Sequence, residues 1–254
     1  MSVVPTHALI LAAGRGERMR PLTDVTPKPL LEAGGKRLIE WQIEALVAAG
    51  IRHIVINVAH LPDQFEAALG DGKRYGVALH YSREGNDAAD ALETLGGIVK
   101  ALPSLGQAPF IVTSGDIVTD YPYRMLSSAS RALLEGTFDA HMVLVENPAF
   151  HPGGDMALIE YGELRRIDPD GTPRLTYANI GIFSPRLFTP VARELAGRRA
   201  ALFPWIYTAA RANRVGGEHY GGRWWNAGTP DDLARLDGEL GRRSHHRAID
   251  QPHP

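Results

Sequence analysis

At Gly14 the chain passes abruptly from an apolar run, Ala8-Leu9-Ile10-Leu11-Ala12, into a loop that is both glycine-bearing and cationic. A short, continuous, uncharged run is the pattern of a strand buried on both faces of a parallel sheet. Beyond it, Gly14 and Gly16 let the backbone turn tightly and approach a ligand, while Arg15, Arg18, Arg20 and Lys28 bring four positive charges. Pro21, Pro27 and Pro29 stiffen the rest of the loop. A strand that delivers an amide-rich, cationic loop at its carboxyl end is suited to holding phosphate. The loop matches neither of two common phosphate-binding patterns. Met19 stands where the dinucleotide fingerprint has its third glycine, and Gly16 is followed by Glu17-Arg18 instead of Gly-Lys-Ser/Thr. Two glycines alone would serve an ordinary tight turn equally well.

Further along, Leu38, Ile39, Ile43, Leu46 and Val47 recur at helical spacing through 36–49, and Gly50 is placed to end that helix. Strands are expected at 52–58 and 77–81 with a short helix at 61–69 between them, and another strand at 109–113. Strand, helix, strand, helix, strand is the order of a doubly wound, mostly parallel, Rossmann-like α/β sheet with helices on both faces. Right-handed crossovers then bring the strands' carboxyl ends to one edge, so a ligand site should gather residues from several loops there. In the C-terminal half, 137–146, 156–161 and 174–183 read as added antiparallel strands, with turns at 148–155 and 168–173. Helices at 185–195 and 200–213, a strand at 214–220 and a helix to Leu240 complete the pattern.

With 254 residues, 44% of them hydrophobic, the chain suits a single domain over 1–240, followed by a polar, aperiodic, disordered tail at 241–254. His245, His246 and His253 are expected to belong to that tail and not to a metal site. A formal net charge of -2 offers no bulk field for nucleic acid or an anionic membrane. No cysteine is present, which excludes disulfides, thiolate metal sites and thiol catalysis and suits a reducing cytoplasm. No segment approaches the roughly 20 apolar residues of a membrane helix. The expectation is a cytoplasmic monomer or weak homo-oligomer without nucleic-acid or membrane partners.

The longer string Gly14-x-Gly16-x-Arg18-Met19-x-Pro21-Leu22-Thr23, continued by Thr26-Pro27-Lys28-Pro29-Leu30, resembles the signature of the sugar-1-phosphate nucleotidyltransferases. The resemblance implies a nucleotidyltransferase sheet, a nucleoside triphosphate and a sugar 1-phosphate as partners, and Mg2+ as cofactor. It places Leu11, Ala12, Ala13, Gly14 and Gly16 on the nucleotide and Arg18 on the triphosphate, with Lys28 at the α-phosphate. The segment Leu92-Glu93-Thr94-Leu95-Gly96-Gly97-Ile98 is similar to one that lies beside base and ribose, which gives Glu93, Thr94 and Gly97 that role. By their residues alone, these glycines serve tight helix packing equally well. The preceding loop at 86–90 is longer and more acidic than the family pattern, which leaves Glu84 unassigned.

Gly115-Asp116-Ile117-Val118-Thr119-Asp120 is similar to a family motif whose first aspartate binds magnesium, although a lone Gly-Asp also caps turns. Asp120 is expected to be structural or to support the metal ligands from behind. Asn179, in Thr176-Tyr177-Ala178-Asn179-Ile180-Gly181-Ile182-Phe183, reads by itself as a hydrogen-bonded structural residue, but the segment resembles one that lines the sugar pocket in the family, which implies that role for Asn179. Trp224-Trp225-Asn226-Ala227-Gly228-Thr229-Pro230 resembles a motif whose aspartate is the second metal ligand, and here Asn226 replaces it with a neutral amide oxygen. No Glu-Lys pair for the sugar phosphate is found. Within the family, the chain is similar to bacterial uridylyltransferases acting on N-acetylmuramate α-1-phosphate in cell-wall recycling. Guanylyl transfer to mannose 1-phosphate and thymidylyl or uridylyl transfer to glucose 1-phosphate stay open. Asn226 and the altered loop also leave open a non-catalytic nucleotide-sugar-binding protein.

Overall fold

A computed structural model describes residues 5–162 and 164–249. The first half runs β1 (His7–Leu11), β2 (Glu32–Ala33), β3 (Lys36–Arg37), α1 (Leu38–Ala48), β4 (His53–Val58), α2 (Asp63–Leu69), β5 (Ala78–Arg83), α3 (Glu93–Leu105), β6 (Phe110–Ser114), β7 (Ile117–Thr119) and α4 (Leu126–Leu134). The second half adds β8 (Ala140–Val145), β9 (Met156–Tyr161), β10 (Leu164–Asp168), β11 (Arg174–Phe183), α5 (Thr189–Ala192), α6 (Leu202–Arg211), β12 (Val215–His219), β13 (Trp224–Asn226) and α7 (Pro230–Ile249).

Nine strands form one sheet in the order β5-β4-β1-β6-β11-β8-β12-β10-β9. β5, β4, β1 and β6 are mutually parallel, as the βαβ pattern requires, and β11 enters antiparallel between β6 and β8. The continuous apolar run of β1 has its physical reason here, because both faces of the strand are covered. Ala8 and Ile10 pack with Ile39, Ile43 and Phe65 of α1 and α2, while Leu9 packs with Leu95, Ile98 and Ile206 of α3 and α6. Burying each of Leu9 and Ile10 completely stabilises the fold by roughly 1.5–3 kcal/mol. A third, smaller cluster joins Ala33 and Leu38 to Val118, Ala227, Leu236 and Leu240, so α7 closes over the start of α1.

Three departures from the sequence expectations have local causes. The stretch 185–195 is not one helix: a tight turn at Pro185–Leu187 follows the Ser184 cap, and Pro190 opens the short α5. β7 and β13 form a two-stranded ladder of three residues each, too short to show any period. Finally, α7 continues through Ile249 where a disordered tail from 241 was expected. After Gly241 the run holds good helix formers such as Arg242, Arg243 and Ala248, and proline does not return until Pro252. Residues 250–254, His253 among them, lie outside the described residues. Among the described residues no helix is long and apolar enough to cross a membrane.

Candidate active site

The carboxyl ends of β1, β4, β5 and β6 border a cavity of about 430 Å³. Of the residues expected from sequence, Leu11, Ala12, Ala13, Gly14, Gly16, Lys28, Glu93, Thr94, Asp116 and Asn179 line it. The two loop glycines do different work. Gly16 has φ 69°, and a Cβ there would stand 3.1 Å from the side chains of Lys28 and Thr23, so both conformation and space demand glycine. Gly14 has open space around its missing Cβ, which leaves the backbone accessible from the cavity. Thr23, fully buried, fastens the loop by donating its hydroxyl to the Gly16 carbonyl at 2.9 Å.

Lys28, Asp116 and Asn226 meet at one point. The Lys28 ammonium donates to Asp116 Oδ2 at 2.6 Å and to Asn226 Oδ1 at 3.4 Å. Three segments distant in sequence reach this point for identifiable reasons. Pro27 leads into the tight turn Lys28–Leu30, which aims the lysine inward. Asp116 sits between β6 and β7, on a turn whose Gly115 packs so closely that a Cβ would lie 3.1 Å from Ile10 and 3.2 Å from Pro29. The β7–β13 ladder then sets Asn226 opposite Ile117, one residue from Asp116. Beneath them Gln42 of α1, wholly buried, donates to the Ile117 carbonyl at 2.8 Å and accepts from the Tyr123 hydroxyl at 2.5 Å, which anchors β7 to the core.

The opposite side of the cavity is held by Asn57 and Glu84. The Ala12 amide donates to Asn57 Oδ1 at 2.7 Å, Asn57 Nδ2 donates to Glu84 Oε1 at 2.7 Å, and the Leu92 amide donates to Glu84 Oε2 at 2.6 Å. One relay of side chains thus ties β1 to β4, β5 and the start of α3. Burial pushes the Glu84 carboxyl above the ordinary value, opposed by the hydrogen bonds from Leu92 and Asn57. Gly97 does not line the cavity. It lies directly behind this pair, where a Cβ would come within 2.5 Å of Glu84 Oε1 and 2.7 Å of Asn57 Nδ2.

Asn179 and Glu93 both hold left-handed backbone, at φ 57° and 59°. For Asn179 this accompanies a bulge, since the pairing of β11 with β8 shifts register between Tyr177 and Gly181. Asparagine tolerates that conformation better than most residues. Glu93 forms an ion pair with Arg199 at 2.9 Å. The segment before α6 brings Arg199 to the cavity, because Ala200 donates to the Leu92 carbonyl and accepts from Leu95 and Gly96. Arg18 lies outside the cavity with its guanidinium beside Gly228, and Arg15 is the loop arginine that lines it.

Asn57, Arg199 and Gln42 carried no signal of their own. A polar residue closing a strand, a Gly-Arg-Arg-Ala run and a lone glutamine in a helix are each unremarkable until the loops are packed together. Oxygen donors at Asp116 and Asn226, both within reach of the same nitrogen, suit magnesium, which takes one or two carboxylates with phosphate and water oxygens. Among the described residues no group of three or more His, Cys, Asp or Glu side chains could hold a metal ion.

Residues 7–234 match the family model described as nucleotidyl transferase. The chain belongs to the nucleotidyl transferase family. N-acetylmuramate alpha-1-phosphate uridylyltransferase from Neisseria meningitidis serogroup B is 46% identical to this transferase over 222 residues, 87% of this chain and 93% of the relative. The protein of the same name from Caulobacter vibrioides is 32% identical over 244 residues, 94% of this chain and 99% of the relative. In fold, the transferase is similar to the inositol-1-phosphate CTP transferase structure from T. maritima, with a TM-score of 0.74, 18% identity, and 96% and 97% of the two chains covered.

Proposed function

We propose that the chain transfers a uridylyl group from UTP to N-acetylmuramate α-1-phosphate in the cytoplasm, with magnesium, in the recycling of cell-wall sugar. The observation that carries this reading is the meeting of Lys28, Asp116 and Asn226 at the end of an amide-rich loop, in a family member whose relatives bear that name. In the reaction, a phosphate oxygen of the sugar 1-phosphate attacks the α-phosphorus of UTP. The bond from that phosphorus to the bridging oxygen breaks, and pyrophosphate leaves. The attacking oxygen is already deprotonated near pH 7, so the work is positioning and charge neutralisation, without a general base.

The residues of the cavity, with Asn226 beside it, divide this work. Gly14 and Gly16 present backbone to the triphosphate, and Lys28 stabilises the charge that grows on the oxygens around the α-phosphorus. Asn57, Glu84 and the start of α3 shape the wall that receives the base and ribose, and Asn179 offers an amide to the sugar. Arg199, on the same cavity wall as Glu93, supplies a second cation for a second anionic reactant. Asp116 and Asn226 would hold magnesium, whose contribution is to neutralise phosphate charge.

The test is pyrophosphate release across UTP, GTP, dTTP and CTP against the 1-phosphates of N-acetylmuramate, N-acetylglucosamine, glucose and mannose. Selective turnover of UTP with N-acetylmuramate 1-phosphate is expected, and Lys28→Ala and Asp116→Ala should each abolish most of it in folded protein. Selectivity for another pair refutes the substrate assignment. Binding of nucleotide without turnover refutes the enzymatic one.

A further inference from the structure

Every arginine or lysine lining the cavity is already paired within the chain. Lys28 holds Asp116, Arg199 holds Glu93, and Arg15 lies 3.1 Å from Glu17 and 3.2 Å from Asp24. The Lys28–Asp116 pair is the most enclosed of these, with the two side chains 11% and 25% exposed. Its other near neighbour, Asn226, is neutral. Counted as charges, the reactive point therefore consists of one cation and one anion in contact, plus an amide dipole. A second cation meets a carboxylate whose charge is already cancelled, with an ammonium 2.6 Å from the oxygen it needs.

We propose that Lys28 is the resident counter-ion of a one-carboxylate cation site, and that this site accepts a divalent cation only as a chelate with a nucleoside triphosphate. A polyphosphate offers the Lys28 ammonium new oxygen partners. Lys28 can then leave Asp116 Oδ2, and that oxygen becomes available to the cation that arrived with the phosphates. Cation and triphosphate are thereby coupled through one side chain, and linkage makes the coupling reciprocal. The amide at Asn226 is what makes this coupling strong. A carboxylate there would give the site a net negative charge with Lys28 still in place, and a bare cation would be attracted. The nucleotide half of the inference rests on the function proposed above, whereas the antagonism between lysine and bare cation does not.

Electron paramagnetic resonance of Mn2+ tests this with the full-length chain and no sugar phosphate. With protein alone, the wild type should leave Mn2+ free at concentrations where Lys28→Gln and Asn226→Asp each bind it on the order of tenfold more tightly, within the usual range of site-to-site coupling. Adding a non-hydrolysable UTP analogue to the wild type should move Mn2+ into a protein-bound, slowly tumbling complex. Asn226→Asp keeps the buried lysine, so the charge argument is tested even where circular dichroism shows that Lys28→Gln does not fold. Wild-type protein that binds Mn2+ alone as tightly as Asn226→Asp overturns the proposal. So does a folded Lys28→Gln with unchanged Mn2+ affinity. The titration without nucleotide contains no substrate, so a different base or sugar in the turnover assay corrects the proposed function and leaves this result standing.

Discussion

Replacing Gly97 with alanine sets two opposite effects against each other. Gly97 lies inside α3, where alanine is favoured over glycine by about 1 kcal/mol, so helix propensity predicts a more stable protein. The added Cβ, however, would stand 2.5 Å from Glu84 Oε1 and 2.7 Å from Asn57 Nδ2. Ordinary contact needs roughly 3.5 Å, so the pair must retreat by about 1 Å. That displacement breaks the 2.7 Å bond between them and strains at least one of the bonds from Ala12 and Leu92. Each buried group left unsatisfied costs about 1–3 kcal/mol, so two such losses outweigh the helix gain by roughly 1–5 kcal/mol. At about 2–4 °C per kcal/mol for a chain of this size, the melting temperature should fall by about 2–20 °C. Because the same relay positions Ala12 and the start of α3, the KM for nucleotide should rise more than kcat falls. Calorimetry and steady-state kinetics on one preparation measure both. A melting temperature raised by about 2–4 °C with an unchanged nucleotide KM would show that helix propensity wins and that the relay does not organise the site.

Gln42→Leu strips the Ile117 carbonyl of its buried donor, so it should cost about 1–3 kcal/mol and lower kcat by loosening the turn that carries Asp116; unchanged melting and turnover would refute the anchoring role. Asn179→Gly keeps the left-handed bulge and deletes the amide, so the melting temperature should hold while the KM for sugar 1-phosphate rises; an unchanged KM would remove Asn179 from the sugar pocket. Glu84 titrates above its ordinary value because burial opposes its charge, so its contribution to stability is full below about pH 4.5 and is lost as pH rises through the raised value. Urea midpoints from pH 4 to 7 should lose that slope in Glu84→Gln, and an identical slope in the variant would contradict the assignment.

What the sequence revealed and concealed divides along the range of the causes involved. The β1 boundary at Gly14 is written locally, in a change of polarity within a few residues, and the carboxyl-edge position of Asp116 follows from two adjacent parallel strands. Gly97 was legible as a glycine that something approaches closely, but the approaching groups are Glu84 and Asn57 of the chain itself. Arg18 reads as a cavity cation by its place in the loop, yet the tight turn at Glu17–Met19 carries it toward Gly228. Arg199 and Asn57 became functional candidates only through the docking of segments far apart in sequence, which no single window of residues encodes. The continuation of α7 to Ile249 was hidden for a different reason: its residues favour helix without showing the apolar period by which buried helices are recognised.

The reactive point depends on registers as much as on residues. Asn226 reaches Lys28 because β13 pairs with β7 so that Asn226 faces Ile117, and a slip of one residue would turn its side chain to the other face of the ladder. A three-residue ladder cannot hold its register by backbone bonds alone. Flanking contacts on both sides supply the remainder. Trp224 donates its indole N–H to the Ala178 carbonyl at 2.8 Å, and Trp225 packs against the cluster of Val118, Ala227 and Leu236. Ala178 immediately precedes Asn179, so the tryptophan that fixes the register of Asn226 also touches the strand bulge that turns Asn179 toward the cavity. The residues proposed for metal and sugar are thus positioned through one shared contact. Geometry at Asp116 and Asn226 and geometry at Asn179 should therefore respond together to any change in the packing of Trp224.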